Sequence, residues 1–174
     1  MRKKTAQPRR LSPKPANRPI PPIDSFDRKI LKTLVENARA SNVEIAQKVG
    51  LSEAPCSRRI RRLEADEVIV GYHAQLDHDA IGIGFVAFVT LVLDYVTAST
   101  AERFYQEIRA IPEIMSCYIV SGGYDALLHV AAKDSRAYSE IVFDRLRRIP
   151  GVKDVRSSFV MRTIKEGRAL PLAD

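Results

Sequence analysis

Two stretches of the chain repeat one plan. "IRAIPEIMSCYIV", beginning at Ile108, and "LRRIPGVKDVRSSFV", beginning at Leu146, each leave a helical pattern, pass through Ile-Pro and enter a run suited to a strand. Proline cannot continue a helix that needs its amide, and it pushes the residue before it into extended backbone. Each Ile-Pro is therefore a helix stop followed by a strand start, and Pro112 and Pro150 stand 38 residues apart. Around the repeat, Phe85 to Leu93 is a near-continuous apolar strand and Thr100 to Ile111 a helix. Ile114 to Ser121 and Tyr124 to Ala132 are strands, Arg136 to Ile149 a helix and Val152 to Arg162 a last strand. The order βαββαβ predicts one antiparallel sheet with both helices on one face, the ferredoxin-like arrangement. Phe85, Val86, Ala87, Phe88 and Val89 offer apolar groups to both faces of that sheet, so a second copy of the chain is expected to cover the open one, giving a homodimer.

Ahead of this unit the periodicity is helical. "IDSFDRKILKTLVENARA" sets Phe26, Ile30, Leu31, Leu34 and Val35 on one face, with Asp24 or Ser25 placed to cap the first turn. "SNVEIAQKVGLS" follows, and its Ser41 and Glu44 form the S-x-x-E pattern in which each side chain satisfies an orphan amide. Ala46 lets another helix approach, and Gly50 suits the left-handed turn past the helix end. A third helix, "SEAPCSRRIRRLEADE", is expected to start with Ser52 as its cap. Projected at about 100° per residue, Cys56, Ile60, Leu63 and Glu67 share one side. Arg58 and Arg62 lie nearly opposite, Arg61 within a quarter turn of them, and Arg59 on the flank. Three short helices with a capped, glycine-marked turn before a basic third helix predict a helix-turn-helix, whose last helix enters the major groove of double-stranded DNA. Arg58, Arg61 and Arg62, with Ser57 and Ser52 near the helix start, are the expected DNA contacts. Arg59 is expected to serve the fold or the phosphate backbone. The plainer alternative is a solvated face in which Glu64, Asp66 and Glu67 pair with the arginines.

The net charge of +7 on 174 residues does not support the arginines. Arg2, Lys3, Lys4, Arg9, Arg10, Lys14 and Arg18 fall before Ile23 with no acid among them, which leaves 21 cations against 21 acids in the remainder. Six of the ten prolines lie there too, so this segment reads as a disordered, solvated leader or an upstream start, with a phosphate-contacting arm as the alternative. The apolar run from Ile81 to Leu93 is too short and too β-branched for a membrane span, and no secretory signal is read. Cys56 and Cys117 lie far apart and outside metal-ligand spacing, which fits a reducing cytoplasm and predicts no metal site and no cofactor. His73, His78 and His129 have no partner spacing, and no phosphate loop or nucleophile motif is present, so no catalytic residue is expected and the chain is read as no enzyme.

One more stretch carries chemistry. In "SGGYDALL", Gly122 and Gly123 permit a turn whose amides point outward beside Tyr124 and Asp125. Amides favour a carboxylate and Asp125 an ammonium, so a free amino acid suits it. A glycine hairpin whose aspartate serves only the turn is the alternative.

From about Ile23 to about Gly167 the chain resembles the Lrp/AsnC, or feast/famine, family of transcription regulators. The resemblance rests on the Pro-Cys-x-x-Arg run from Pro55 to Arg59, the Ile-x-Gly-Tyr link from Ile69 to Tyr72 and the Gly-x-Tyr-Asp turn from Gly122 to Asp125, in that order. It implies a regulator that binds DNA as a dimer or a higher assembly such as an octamer and responds to an amino acid. It also implies an effector pocket between neighbouring dimers near Gly122, Tyr124 and Asp125, with a contribution near Ser158. A sensor acting through protein contacts, with weak DNA binding, is the alternative. The expected organisation is thus α+β. A basic tail covers 1–22, a winged-helix-like helix-turn-helix domain 23–69 and a linker strand 70–81. A ferredoxin-like domain for effector binding and oligomerisation covers 82–167, and a C-terminal tail 168–174.

Overall fold

The computed structural model describes residues 22–94 and 97–165. The tail expected over 1–22, Pro22 excepted, and the one over 168–174 lie outside the described residues. Two compact units form, one up to Ala74 and the other from Gln75 onward.

The first unit has three helices, α1 (Ser25–Glu36), α2 (Asn42–Val49) and α3 (Glu53–Ala65). Asp24 is the cap of α1: its carboxylate accepts from the Asp27 amide at 2.9 Å while the Asp27 carboxylate accepts from the Asp24 amide at 3.1 Å. Ser41 and Glu44 make the same reciprocal pair at α2. Gly50 closes α2 at φ 75°, the left-handed region that a Cβ disfavours, and its amide donates to the Ala46 and Gln47 carbonyls. Ser52 stands at the start of α3, but its hydroxyl makes no capping bond. A cap side chain reaches the amides of the second and third helical residues, and here the third is Pro55, which has none. Ile30, Ile45, Ala46, Val49, Cys56, Ile60 and Leu63 form the core. Three expected positions fall elsewhere: Phe26 and Val35 are exposed, and Glu67 lies past the end of α3 at φ 54°, off the apolar seam.

The expected strand over 70–81 is not formed. None of the described strands pairs with this segment, so its peptide groups lack a ladder, and Asp79–Ile81 makes a single 3-10 turn instead.

The second unit contains β1 (Phe85–Leu93), α4 (Ala98–Arg109), β2 (Ile114–Ile119), β3 (Ala126–Ala132), α5 (Ser135–Glu140) and β4 (Val152–Phe159). The strands are antiparallel in the order β2-β3-β1-β4, so β1 is central. This is the ferredoxin-like arrangement the βαββαβ order predicts. Ala87, Val89 and Leu91 face Phe104 and Ile108 of α4 and Tyr138, Ile141 and Leu146 on the α5 side. The single helix expected from Arg136 to Ile149 is three pieces: α5 passes into a π turn at Ile141–Arg145 and then a 3-10 turn at Leu146–Arg148. The change of pitch coincides with Leu146 entering the core while Arg145 turns out to bond Glu113 at 3.2 Å and the Ala110 carbonyl at 3.1 Å. Val86, Phe88, Thr90 and Val92 of β1 lie on the opposite, open face, where Phe88 stacks on His129 with ring centroids 4.6 Å apart.

Candidate nucleic-acid interface and ligand cleft

The arginines of α3 divide into two pairs. Arg58 and Arg61 are exposed, and neither makes an ion pair among the described residues. Arg59 is only 28% exposed, and its Nη1 donates to Asp24 at 2.6 Å and to Asp27 at 2.9 Å. Its guanidinium lies 5.5 Å from the centre of the Phe26 ring. The hydrogen bonds it donates, first to Asp24 and then to Asp27, push its pKa above the usual arginine value. Arg62, expected on the outward stripe, is 43% exposed and at the same time donates through Nη2 to the second oxygen of Asp27. The reason is a buried acid: Asp27 sits one turn before Ile30 on the apolar face of α1 and is 0% exposed. A buried carboxylate needs cations or donors, and α3 supplies two.

Ser57 is half-buried, with the Asn42 side-chain amide donating to its hydroxyl at 3.5 Å, and Ser52 is exposed. Tyr72, after the end of α3, donates its hydroxyl to Glu64 at 2.9 Å. Burial, then the bond and the charge of Glu64, push its pKa up to about 12. Asn42, Ser57, Arg61, Glu64 and Tyr72 thereby line one cleft of about 300 Å³ beside α3. The Gly-Tyr link is visible in the sequence. Its attachment to Glu64, eight residues earlier, is not.

In the second unit the hairpin from Val120 to Ala126 is held by Asp125. Its carbonyl accepts from the Val120 amide at 3.0 Å and its amide donates to the Leu91 carbonyl at 2.9 Å. Its carboxylate accepts from the Leu93 amide at 2.7 Å. The aspartate therefore does serve the turn. Gly122 adopts φ 135°, which a side chain would resist. Asp125 also lines a cleft of about 320 Å³ with Leu93, Asp94, Phe104, Tyr105 and Ile119. Gly122, Gly123 and Tyr124 are exposed at the hairpin tip. Ser158 is not brought to them within one chain. It pairs with Phe88 on the open face, whereas the hairpin meets β1 at Leu91. The apolar lining of the cleft, from α4, the end of β1 and the end of β2, comes from residues that the sequence places only in a helix or a strand.

Among the described residues no cluster of His, Cys, Asp and Glu is arranged to hold a metal ion, and no helix is long and apolar enough to cross a membrane.

This geometry has known counterparts. Residues 23–70 match the model of a winged helix-turn-helix DNA-binding domain, and residues 86–170 that of the Lrp/AsnC ligand binding domain. The leucine-responsive regulatory protein of Escherichia coli strain K12 is 37% identical over 153 residues, covering 88% of this chain and 93% of its own. A transcriptional regulator from Neisseria meningitidis, solved in complex with L-methionine, is 37% identical with a TM-score of 0.83, over 86% of this chain and 97% of that one. A feast or famine regulatory protein from M. tuberculosis, also complexed with L-methionine, is 30% identical with a TM-score of 0.75, over 84% and 97% of the two chains.

Proposed function

This chain belongs to the Lrp/AsnC family of DNA-binding, amino-acid-responsive transcriptional regulators, and from that premise we propose that Arg58 and Arg61 carry its DNA contacts while the Asp125 cleft takes an apolar amino acid. The observation that carries the DNA assignment is the division of α3: Arg58 and Arg61 are free of ion pairs among the described residues, while Arg59 and Arg62 are engaged by acids of α1. Arginine suits both the bidentate contact to a guanine edge and the charge-assisted bond to phosphate. Ser57 and Ser52, closer to the start of α3, complete the proposed interface.

The cleft suits the effector by chemistry. Asp125 offers a carboxylate to an ammonium, with Asp94 beside it and paired to Lys153 at 3.6 Å; Leu93, Phe104 and Ile119 offer an apolar wall, and the hairpin amides at Gly122 and Gly123 lie nearby in sequence. The methionine complexes of the two relatives agree with that class. In this reading the chain is a cytoplasmic homodimer joined by the open face of its sheet, dimers meet near the hairpin, and the amino acid shifts that assembly by about 1 to 3 kcal/mol of coupling. No catalytic residue is assigned.

Gel-shift titrations against salt test the interface. Arg58→Ala with Arg61→Ala is expected to cut the affinity at least tenfold and to lower the slope of log affinity against log salt by about 0.9 for each phosphate that is no longer neutralised. Affinity and slope equal to the wild type's would refute the assignment.

A further inference from the structure

We propose that Asp27 is a positioning residue for the DNA interface: its buried carboxylate seats α3 through Arg59 and Arg62 and withholds both guanidinium groups from DNA. The proposal rests on the DNA-binding reading and goes one step further, because it divides four arginines of one helix into two that read and two that hold.

The geometry points there from three sides. First, both Asp27 oxygens are committed. Oδ1 accepts from Arg59 at 2.9 Å, and Oδ2 accepts from Arg62 and from the Asp24 amide, the latter at 3.1 Å. Second, the carboxylate is 0% exposed, so an arginine that left it for a phosphate would uncover a buried negative charge. DNA would have to offset that cost before gaining anything from the new bond. Third, Phe26 lies against the Arg59 guanidinium at 5.5 Å, so that group is flanked by an aromatic ring as well as by two acids.

The consequence for recognition follows from helix geometry. Asp27 belongs to α1 and its partners to α3, 32 and 35 residues later, so these bonds fix one helix against the other. A helix presents a new residue about every 100° of rotation, so a small roll of α3 would carry Arg58 and Arg61 off their base edges. The apolar seam of Cys56, Ile60 and Leu63 resists that roll only through packing, whereas two directional bonds to one buried acceptor set an angle.

The experiment compares the full-length protein with Asp27→Asn, with the double variant Asp27→Asn plus Arg62→Gln, and with Arg58→Ala. Affinities are measured at several salt concentrations for a duplex selected by the wild type from a random pool and for a random duplex. Asp27→Asn is expected to lower the preference for the selected duplex about tenfold, the cost of a disturbed base contact, while the salt slope does not fall and steepens by about 0.9 for each guanidinium released onto a phosphate. A purely structural role, tested well below the melting temperature, would leave that preference intact. The double variant replaces the Asp27–Arg62 ion pair with a neutral hydrogen-bonded pair and leaves Arg59 its second acid, Asp24. It is expected to melt above Asp27→Asn, to recover the preference and to keep the wild-type slope. Should Asp27→Asn fail to fold, the double variant decides alone. A slope lower by about 0.9 in the folded double variant would show Arg62 on a phosphate and overturn the proposal. So would an undiminished preference in folded Asp27→Asn. If wild-type affinity is indifferent to salt and to Arg58→Ala, the DNA reading itself fails and the proposal falls with it, a pattern distinct from either of the others.

Discussion

Asp125 and Asp27 are both acids that the fold uses, and they differ in what is left over. Asp27 has both oxygens committed and no exposed surface. Asp125 is exposed, and among the described residues only Oδ2 is bonded, to the Leu93 amide. An asparagine at position 125 can still accept from that amide but carries no charge for an ammonium. Under the proposed reading, Asp125→Asn is expected to weaken binding of whichever apolar amino acid the wild type takes up, with L-methionine and L-leucine as the probes, by about tenfold to a hundredfold, the worth of a charged hydrogen bond, with little change in melting. Isothermal calorimetry measures this, and equal affinities in variant and wild type would move the ammonium elsewhere. At this scale the sequence is legible where one residue acts on its own neighbours, as Gly50 does in the left-handed turn. It misleads where the partner is distant. Asp27 reads as part of a helix start, and nothing local says that Arg59 and Arg62 will be drawn to it. One signal was present: an acid one turn before Ile30 stands on the apolar stripe, and such an acid calls for a buried cation.

At the scale of elements, what repeats or caps was readable and what depends on a remote partner was not. The βαββαβ order follows from two Ile-Pro junctions, and β1 runs from Phe85 to Leu93 as its apolar residues predict. The missing strand over 70–81 and the π turn at Ile141–Arg145 both depend on what the backbone packs against, which periodicity does not report. Ser52 is a different case, since Pro55 three residues later already removes an amide its hydroxyl would need. The caps that do form carry a pH signature. The Asp24 carboxyl is held below its ordinary 3.8 by the Asp27 amide first and then by Arg59, and Glu44 below its ordinary 4.5 by the Ser41 amide and hydroxyl. A carboxyl with a depressed folded pKa contributes stability that is complete above its ordinary value and is lost as the pH falls through the depressed one. Thermal melts followed by circular dichroism are therefore expected to drop in acid below those ordinary values. In Asp24→Asn plus Glu44→Gln the drop should be shallower. An unchanged acid limb in the double variant would mean that other carboxyls govern it.

The whole molecule adds a constraint that neither residues nor elements contain. Its net positive charge lies before Ile23, so attraction to DNA by the remainder must come from where charges are placed, and α3 is where placement is one-sided. The proposed assembly likewise rests on a face and not on composition. Val86, Phe88 and Val92 lie on the side of the sheet opposite α4 and α5, and Phe88 remains 42% exposed although it sits on the central strand. Within one chain its chief partner is the His129 ring, so a polar group at position 88 would cost the isolated unit little. Across a dimer it would bury a charge without a partner, which costs about 3 kcal/mol or more. Phe88→Asp is accordingly expected to raise the dimer dissociation constant at least about a hundredfold while the chain keeps its wild-type circular dichroism. Sedimentation velocity over a concentration series separates the outcomes. A variant that stays folded and becomes monomeric at concentrations where the wild type does not supports assembly through this face. A variant that associates as the wild type does would place the interface elsewhere and leave the open face of the sheet to be covered by another partner.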